Sequence, residues 1–299
     1  MEISELQNNN WLSLARAISL VENDTLQGSE LLMKLPFNNH TPVVGITGPP
    51  GAGKSSLVNA LINELLNQNL KVGILAVDPT SPFNYGSLLG DRVRMTNHFN
   101  SPNVYIRSLA TRGNLGGLSA KIFEITDVMQ HAGFDMIIIE TVGVGQSEVE
   151  IAGLADTTAL VLVPEAGDEV QTLKSGIMEI ANIFIVNKSD REGADIFVKN
   201  LNALVHQRPS SDWQTPILKT IATNGTGIPE FWEAIYAHQK HNNSSEKKFQ
   251  LLSQKAWQLI QNEKMKVINK KELITDLEQN TNKPGFNLYQ YIQNKYLKK

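Results

Sequence analysis

The chain has 299 residues, 27 Lys and Arg against 30 Asp and Glu, a formal net charge of -3 and no Cys. That length supports one sizeable core with additions, the mildly acidic balance argues against nucleic acid or an anionic membrane as main partner, and disulfides, cysteine metal sites and thiolate catalysis are excluded. The start MEISELQNNNW has no basic segment followed by an apolar run, and no stretch approaches membrane-spanning length, so the expectation is a soluble, cytoplasmic protein.

From Trp11 to Val21 the residues Trp11, Leu14, Ala15, Ile18 and Val21 recur at helical spacing, which predicts an amphipathic helix. A second helical pattern, SELLMKL, stops at Pro36, and the pair makes an N-terminal extension over residues 1–40. Beyond Pro42 come strand-length apolar runs: VVGIT, KVGILAVD, NVYIRS, FDMIIIE, TALVLVP, NIFIVNK and TPILKTIA. Several are apolar at nearly every position, which implies burial on both faces and therefore a parallel sheet. Helical stretches after Lys54, Leu118 and Gln146, around Lys199 and after Pro229 supply right-handed crossovers. The predicted fold class is α/β, a doubly wound, mostly parallel sheet over residues 41–241 with helical N- and C-terminal extensions, and its ligands belong at the carboxyl ends of the strands. The polar run HNNSSEKK reads as a linker. Beyond it Phe249, Leu252, Ala256, Leu259 and Ile260 form another helical stripe. Residues 242–299 are too poor in apolar side chains for their own core, so this C-terminal arm packs either on the rest of its chain or, the preferred reading, on a second copy in a homodimer.

Gly48-Pro49-Pro50-Gly51-Ala52-Gly53-Lys54-Ser55 satisfies G-x-x-x-x-G-K-[ST] between the strand VVGIT and the helix SSLVNALINELL. A phosphate chain needs converging backbone N–H groups, and glycines let the backbone curl around it without a Cβ in the way. Residues Gly48 to Ser56 are thus the expected phosphate cradle, with Lys54 reaching the β/γ oxygens and the Ser55 hydroxyl ligating Mg2+. Asn187-Lys188-Ser189-Asp190 follows the strand NIFIV, about 130 residues after that loop. A carboxylate there accepts from guanine N1–H and the exocyclic amine but would face a lone pair at adenine N1. Asp190 therefore selects GTP/GDP, while Asn187 and Lys188 brace the loop and cover the base. Between the motifs, Asp78 ends the strand in AVDPTSPF, Asp91 lies in LGDRVRM, and Glu140 ends FDMIIIE and opens Glu140-Thr141-Val142-Gly143. Either aspartate alone reads as a turn or cap residue, but position relative to the phosphate loop favours Asp78 and Glu140 as metal-site carboxylates. The Gly143 N–H can meet the γ-phosphate.

Together GPPGAGKSSL, AVDPTSP, GDRVRM, IIIETVGVGQSE, PEAGDEVQTLKSGIMEIA and NKSD resemble the MeaB/ArgK-type P-loop GTPases, and LARAISLVEN extends the likeness over nearly the whole chain. The resemblance implies a SIMIBI-type GTPase that chaperones an adenosylcobalamin-dependent acyl-CoA mutase, chiefly methylmalonyl-CoA mutase, gating cofactor loading and protecting or reactivating the mutase. It implies Lys54 and Ser55 on phosphate and Mg2+, with Asp78, Asp91 and Glu140 as the carboxylates around the metal. It further implies a dimer formed by the C-terminal extension, and a third switch between Pro164 and Gly176 whose Glu165, Asp168, Glu169 and Lys174 communicate with the mutase. The fifth motif departs from the pattern: in Lys219-Thr220-Ile221-Ala222, Ile221 stands at the expected serine. The Ala222 N–H can still meet guanine O6, but a loop-bracing hydroxyl is missing and weaker affinity is expected. No glutamine directly follows Gly143, and Gln146 is three residues on, so slow intrinsic hydrolysis that a partner accelerates is the expectation.

A nickel metallochaperone or CobW-like GTPase would need soft or imidazole ligands. The six His are His40, His98, His131, His206, His238 and His241, of which only the last two are close, and those read as a surface helix end. A small-molecule kinase would share the phosphate loop but gives no reason for NKSD, and NKSD equally disfavours an arginine or ornithine transport ATPase.

Overall fold

The structure, a computed structural model, describes residues 2–7, 10–37, 41–78, 95–110, 119–143, 151–166, 177–208, 212–241, 245–265, 267–281, 283 and 285–297. They form two compact units, Met1–Lys248 and Phe249–Lys299. In the first unit seven strands make one sheet: β1 (Val43–Thr47), β2 (Val72–Asp78), β3 (Val104–Ala110), β4 (Met136–Glu140), β5 (Thr157–Leu162), β6 (Ile183–Val186) and β7 (Ile217–Lys219). Their order is β3-β2-β4-β1-β5-β6-β7 and every pairing is parallel, as the continuous apolar runs predict. β1, β4 and β5 are buried along their whole length, because helices cover both faces.

The helices of this unit are α1 (Trp11–Glu22), α2 (Leu26–Lys34), α3 (Lys54–Asn67), α4 (Ile122–Gln130), α5 (Ile177–Ile180), α6 (Ala194–Val205) and α7 (Ile228–His241). On one face Val43, Leu75, Ile137 and Ile139 join α1 and α4 through Leu14, Ile18, Ile125 and Met129. On the other, Val44, Ile46, Ile74 and Ile138 join α3 and α7 through Leu57, Leu61, Phe231 and Ile235. Leu160, Leu162, Phe184 and Val186 pack with Phe197 and Leu201 of α6.

The N-terminal extension is therefore stitched into the main core. Asn10 caps α1 by accepting from the Ser13 N–H at 3.2 Å, and Thr25 caps α2 by accepting from the Gly28 N–H at 3.0 Å. Trp11 stacks on Phe134 with ring centroids 5.5 Å apart and lies 5.6 Å from Tyr105 of β3. Arg107 of β3 pairs with Glu22 at 2.7 Å.

One local expectation falls largely outside the described residues and another changes. Of the helical stretch expected after Gln146, residues 144–150 lie outside the described residues and Ile151–Gly153 is a single 3-10 turn. The run HNNSSEKK is not wholly a linker, since α8 (Ser245–Met265) already begins within it. Ser, Glu and Lys suit a solvated helix as well as a loop, so polar composition alone could not separate the two. The second unit continues through α9 (Lys270–Asn280) and α10 (Leu288–Ile292), and Phe249, Trp257 and Ile260 are exposed. Among the described residues no helix is long and apolar enough to cross a membrane.

Because Leu14 is fully buried between α1 and the sheet, Leu14→Ala is expected to destabilise the first unit by about 2–5 kcal/mol. Urea unfolding of the full chain measures this, and an unmoved midpoint would show that α1 contributes nothing to the core.

Candidate functional site

β1 delivers the chain into the phosphate loop at Thr47. Gly48 follows with φ +143° beside the Val161 carbonyl of β5, where a Cβ would collide, so the loop can leave the sheet only with glycine there. Gly53, at φ +86°, caps α3 without a side-chain hydrogen bond. The first amides of a long helix are thus presented at the carboxyl edge of the sheet together with the positive end of its dipole, which is an anion site by construction. Lys54 arches back over the loop, its Nζ donating to the Gly48 carbonyl at 2.9 Å and the Pro49 carbonyl at 3.1 Å.

Ser55 Oγ donates to Glu140 Oε1 at 2.7 Å, and both residues are buried. The pairing follows from register: Glu140 is opposite Ile46 of β1 on one side and Ala76 of β2 on the other, on the face that carries α3. Three residues on, Gly143 has φ +82°, and a Cβ there would strike the Gly48 carbonyl and Lys54 Nζ. Lys54, Ser55, Glu140 and Gly143 are therefore one cluster. Beside it the hydroxyls of Thr47 and Thr141 lie 2.9 Å apart. The donors that Ser55 and Glu140 offer are oxygens only, which suits a hard cation such as Mg2+ that keeps water and phosphate ligands.

The loops after β6 and β7 are organised by Asn187, which is buried. Its Nδ2 donates to the Ala52 carbonyl at 2.9 Å, and its Oδ1 accepts from Thr220 Oγ1 at 3.1 Å and from the Ala222 N–H at 3.2 Å. Lys188, at φ +55°, donates from Nζ to the Gly51 carbonyl at 2.7 Å. Asp190 is exposed in the turn after β6, a solvent-facing carboxylate within the same loop. The missing hydroxyl of the fifth motif is thus partly made good one residue early, by Thr220, while Ile221 pairs with Thr226 in an isolated antiparallel bridge. The Ala222 amide, expected to face the base, is engaged by Asn187 instead. Arg191 forms an ion pair with Glu165, which holds that carboxyl below the usual carboxylate range and links the turn after β5 to the loop after β6.

Asp78 is the last residue of β2, paired with Ala110 of β3 and two residues beyond the row of Glu140. Asp91, Gln146, Asp168, Glu169 and Lys174 lie outside the described residues. His238 is not at a surface helix end. It is buried, with Nδ1 2.8 Å from Thr157 Oγ1 and its ring 4.8 Å from that of Trp213. Among the described residues no group of three or more His, Cys, Asp and Glu could hold a metal. Sequence reasoning missed Thr47, Thr141 and Thr220. The available signal was a hydroxyl at the buried end of an otherwise apolar strand.

The chain matches the family described as methylmalonyl Co-A mutase-associated GTPase MeaB over residues 14–276. It is 48% identical over 250 residues to a protein of Pyrococcus horikoshii named as a GTPase, covering 82% of this chain and 79% of that one. It is 36% identical over 245 residues to the GTPase ArgK of Escherichia coli, covering 78% and 73%. The mouse methylmalonic aciduria type A homolog, a mitochondrial protein, is 37% identical over 248 residues, 76% of this chain and 60% of its own length. A crystal structure described as an LAO/AO transport system kinase shares the fold with a TM-score of 0.72 at 26% identity, covering 97% of this chain and 96% of that one. The chain belongs to the MeaB family of methylmalonyl-CoA mutase-associated GTPases, and is a GTPase of the P-loop fold.

Proposed function

We propose that this GTPase is Mg2+-dependent and chaperones an adenosylcobalamin-dependent acyl-CoA mutase of the methylmalonyl-CoA mutase type, gating cofactor loading and protecting or reactivating that enzyme. It works in the cytoplasm, without nucleic acid or membrane as partner. The observation that carries the reading is the family match over residues 14–276, which spans both nucleotide motifs and the N-terminal helices packed behind them. The name of the mouse relative fits the same partner class.

The residues have separable roles. Amides from Gly48 to Ser56 surround the phosphates, and Lys54 exchanges its two loop carbonyls for β/γ oxygens. Ser55 and Glu140, with Asp78 and Asp91, are the groups that would hold Mg2+, which when bound offsets the charge developing on the phosphate oxygens. Gly143 presents its N–H toward the γ-phosphate from beside Lys54. Asp190 reads guanine, and Asn187, Lys188 and Ala222 hold the pocket in shape.

Guanine selection is tested at one residue. Asp190→Asn is expected to weaken GTP and GDP binding by at least about tenfold, the loss of one charge-assisted contact, and to shift preference toward xanthine nucleotides, measured by competition titration. Equal affinity of the unaltered protein for ATP and GTP would refute the assignment.

The partner is tested by retention. With GTP present the immobilised chain is expected to hold methylmalonyl-CoA mutase, and the mutase to raise the hydrolysis rate. No retention and no stimulation in any nucleotide state would remove the chaperone role while leaving the GTPase intact.

The exposed Phe249, Trp257 and Ile260 of the second unit support a homodimer formed through residues 242–299. Light scattering at micromolar concentration is expected to give twice the chain mass for the full chain and the monomer mass after removal of residues 245–299. A monomeric full chain would exclude it.

A further inference from the structure

Thr47 and Thr141 are 0% and 1% exposed, with hydroxyls 2.9 Å apart, and the roles proposed above for the nucleotide motifs use neither hydroxyl. Thr47 is the last residue of β1, immediately before Gly48. Thr141 immediately follows Glu140, the last residue of β4. The backbones are still paired at this row, with the Thr141 N–H donating to the Ile46 carbonyl at 3.1 Å.

Strand alternation places the pair. Val43, Ile137 and Ile139 face the core shared with α1 and α4, and two-residue steps put Thr47 and Thr141 on that face. Ile46 faces α3, and Glu140, its cross-strand partner, reaches Ser55 on that side. The end of β4 is thus held by side-chain hydrogen bonds on both faces of the sheet, Glu140 to Ser55 on one and Thr141 to Thr47 on the other. Backbone pairing on both sides limits the roll of the strand end, and side-chain bonds on opposite faces resist the rotation that the ladder leaves. Packing gives no reason for hydroxyls here, because valine has the same shape and burying hydroxyls costs free energy.

We propose that Thr47 and Thr141 are a positioning pair for GTP hydrolysis. Their mutual hydrogen bond sets the roll of the strand end that carries Glu140 and leads to Gly143, relative to the strand end that carries the phosphate loop. The inference rests on the roles given above to Glu140 and Gly143.

The test compares Thr47→Val, Thr141→Val, the double valine variant, Thr47→Ser and Thr141→Ser, with Glu140→Gln as control, by steady-state GTP hydrolysis and GDP titration. Each valine variant is expected to lower kcat about tenfold while KM and GDP affinity stay within about twofold, the signature of lost alignment and not of lost binding. Serine should restore most of kcat. The double variant should be no slower than either single one, because both singles lose the same bond. Should a valine variant not fold, Thr141→Ala against Thr141→Ser carries the test, with the same tenfold gap expected. Normal kcat in the valine variants with lost turnover in Glu140→Gln would overturn the pair alone, as would additive losses or serine behaving like valine. Normal turnover in Glu140→Gln would overturn the site assignment and the pair with it.

Discussion

A buried side-chain amide must find its donors and acceptors inside the protein, because leaving one unpaired costs about as much as a hydrogen bond is worth. Asn187 is 2% exposed and meets that demand by bonding to Ala52 after β1, and to Thr220 and Ala222 after β7, from its own place after β6. Three loops are thereby fixed by one side chain. Gly53 is glycine for the same reason, since a Cβ there would strike Asn187 Nδ2. The phosphate loop and the loop that follows β6 are mechanically one unit: moving the former would strand the Asn187 amide, and the Lys188 bond to Gly51 doubles the tie.

The rest of the first unit keeps that edge in place. A parallel sheet covered on both faces can expose its polar chain only at its ends, so the loops at the carboxyl ends converge. On the face away from α3, the N-terminal helices are held chiefly by apolar burial of Leu14, Ala17 and Ile18. The Arg107–Glu22 pair at their rim, mostly shielded from solvent, adds a polar tie between α1 and β3. α1 therefore serves the site indirectly, by closing the core under Ile137 and Ile139, whose strand ends at Glu140.

What could be read from the sequence divides along a physical line. The central strands were legible because double-sided burial writes itself as unbroken apolar runs, and VVGIT, IIIE and IFIV need no partner to be recognised, whereas β3 and β7 at the sheet edges are only partly buried. The phosphate loop was legible because its chemistry lies in consecutive residues. Contacts between distant residues were not. Nothing in FDMIIIETV says that β4 lies between β1 and β2, so the Thr47–Thr141 and Ser55–Glu140 bonds stayed hidden although each residue was in plain view. His238 failed in the same way, because Trp213, which covers it, comes from a different segment. At the fifth motif the spacing points to position 221 for the hydroxyl, whereas the bridge between Ile221 and Thr226 leaves Thr220 to reach Asn187. The helical start at Ser245 was obscured because a solvated first turn and a linker share one composition.

The geometry also accounts for glutamate, the longer carboxylate, at position 140. Glu140 is the last residue of β4 and is paired on both sides, with Ile46 and with Ala76, so its backbone is held by the sheet. From there its carboxylate just reaches Ser55 Oγ at 2.7 Å. Removing one methylene withdraws the oxygen by about 1.5 Å, one carbon–carbon bond, and no hydrogen bond survives that gap. An aspartate could make the contact only from a position further along the chain, where β4 has ended. The longer side chain thus lets the carboxylate at Ser55 be carried by backbone paired on both sides, and a site that must be aligned before its substrate arrives requires that stiffness.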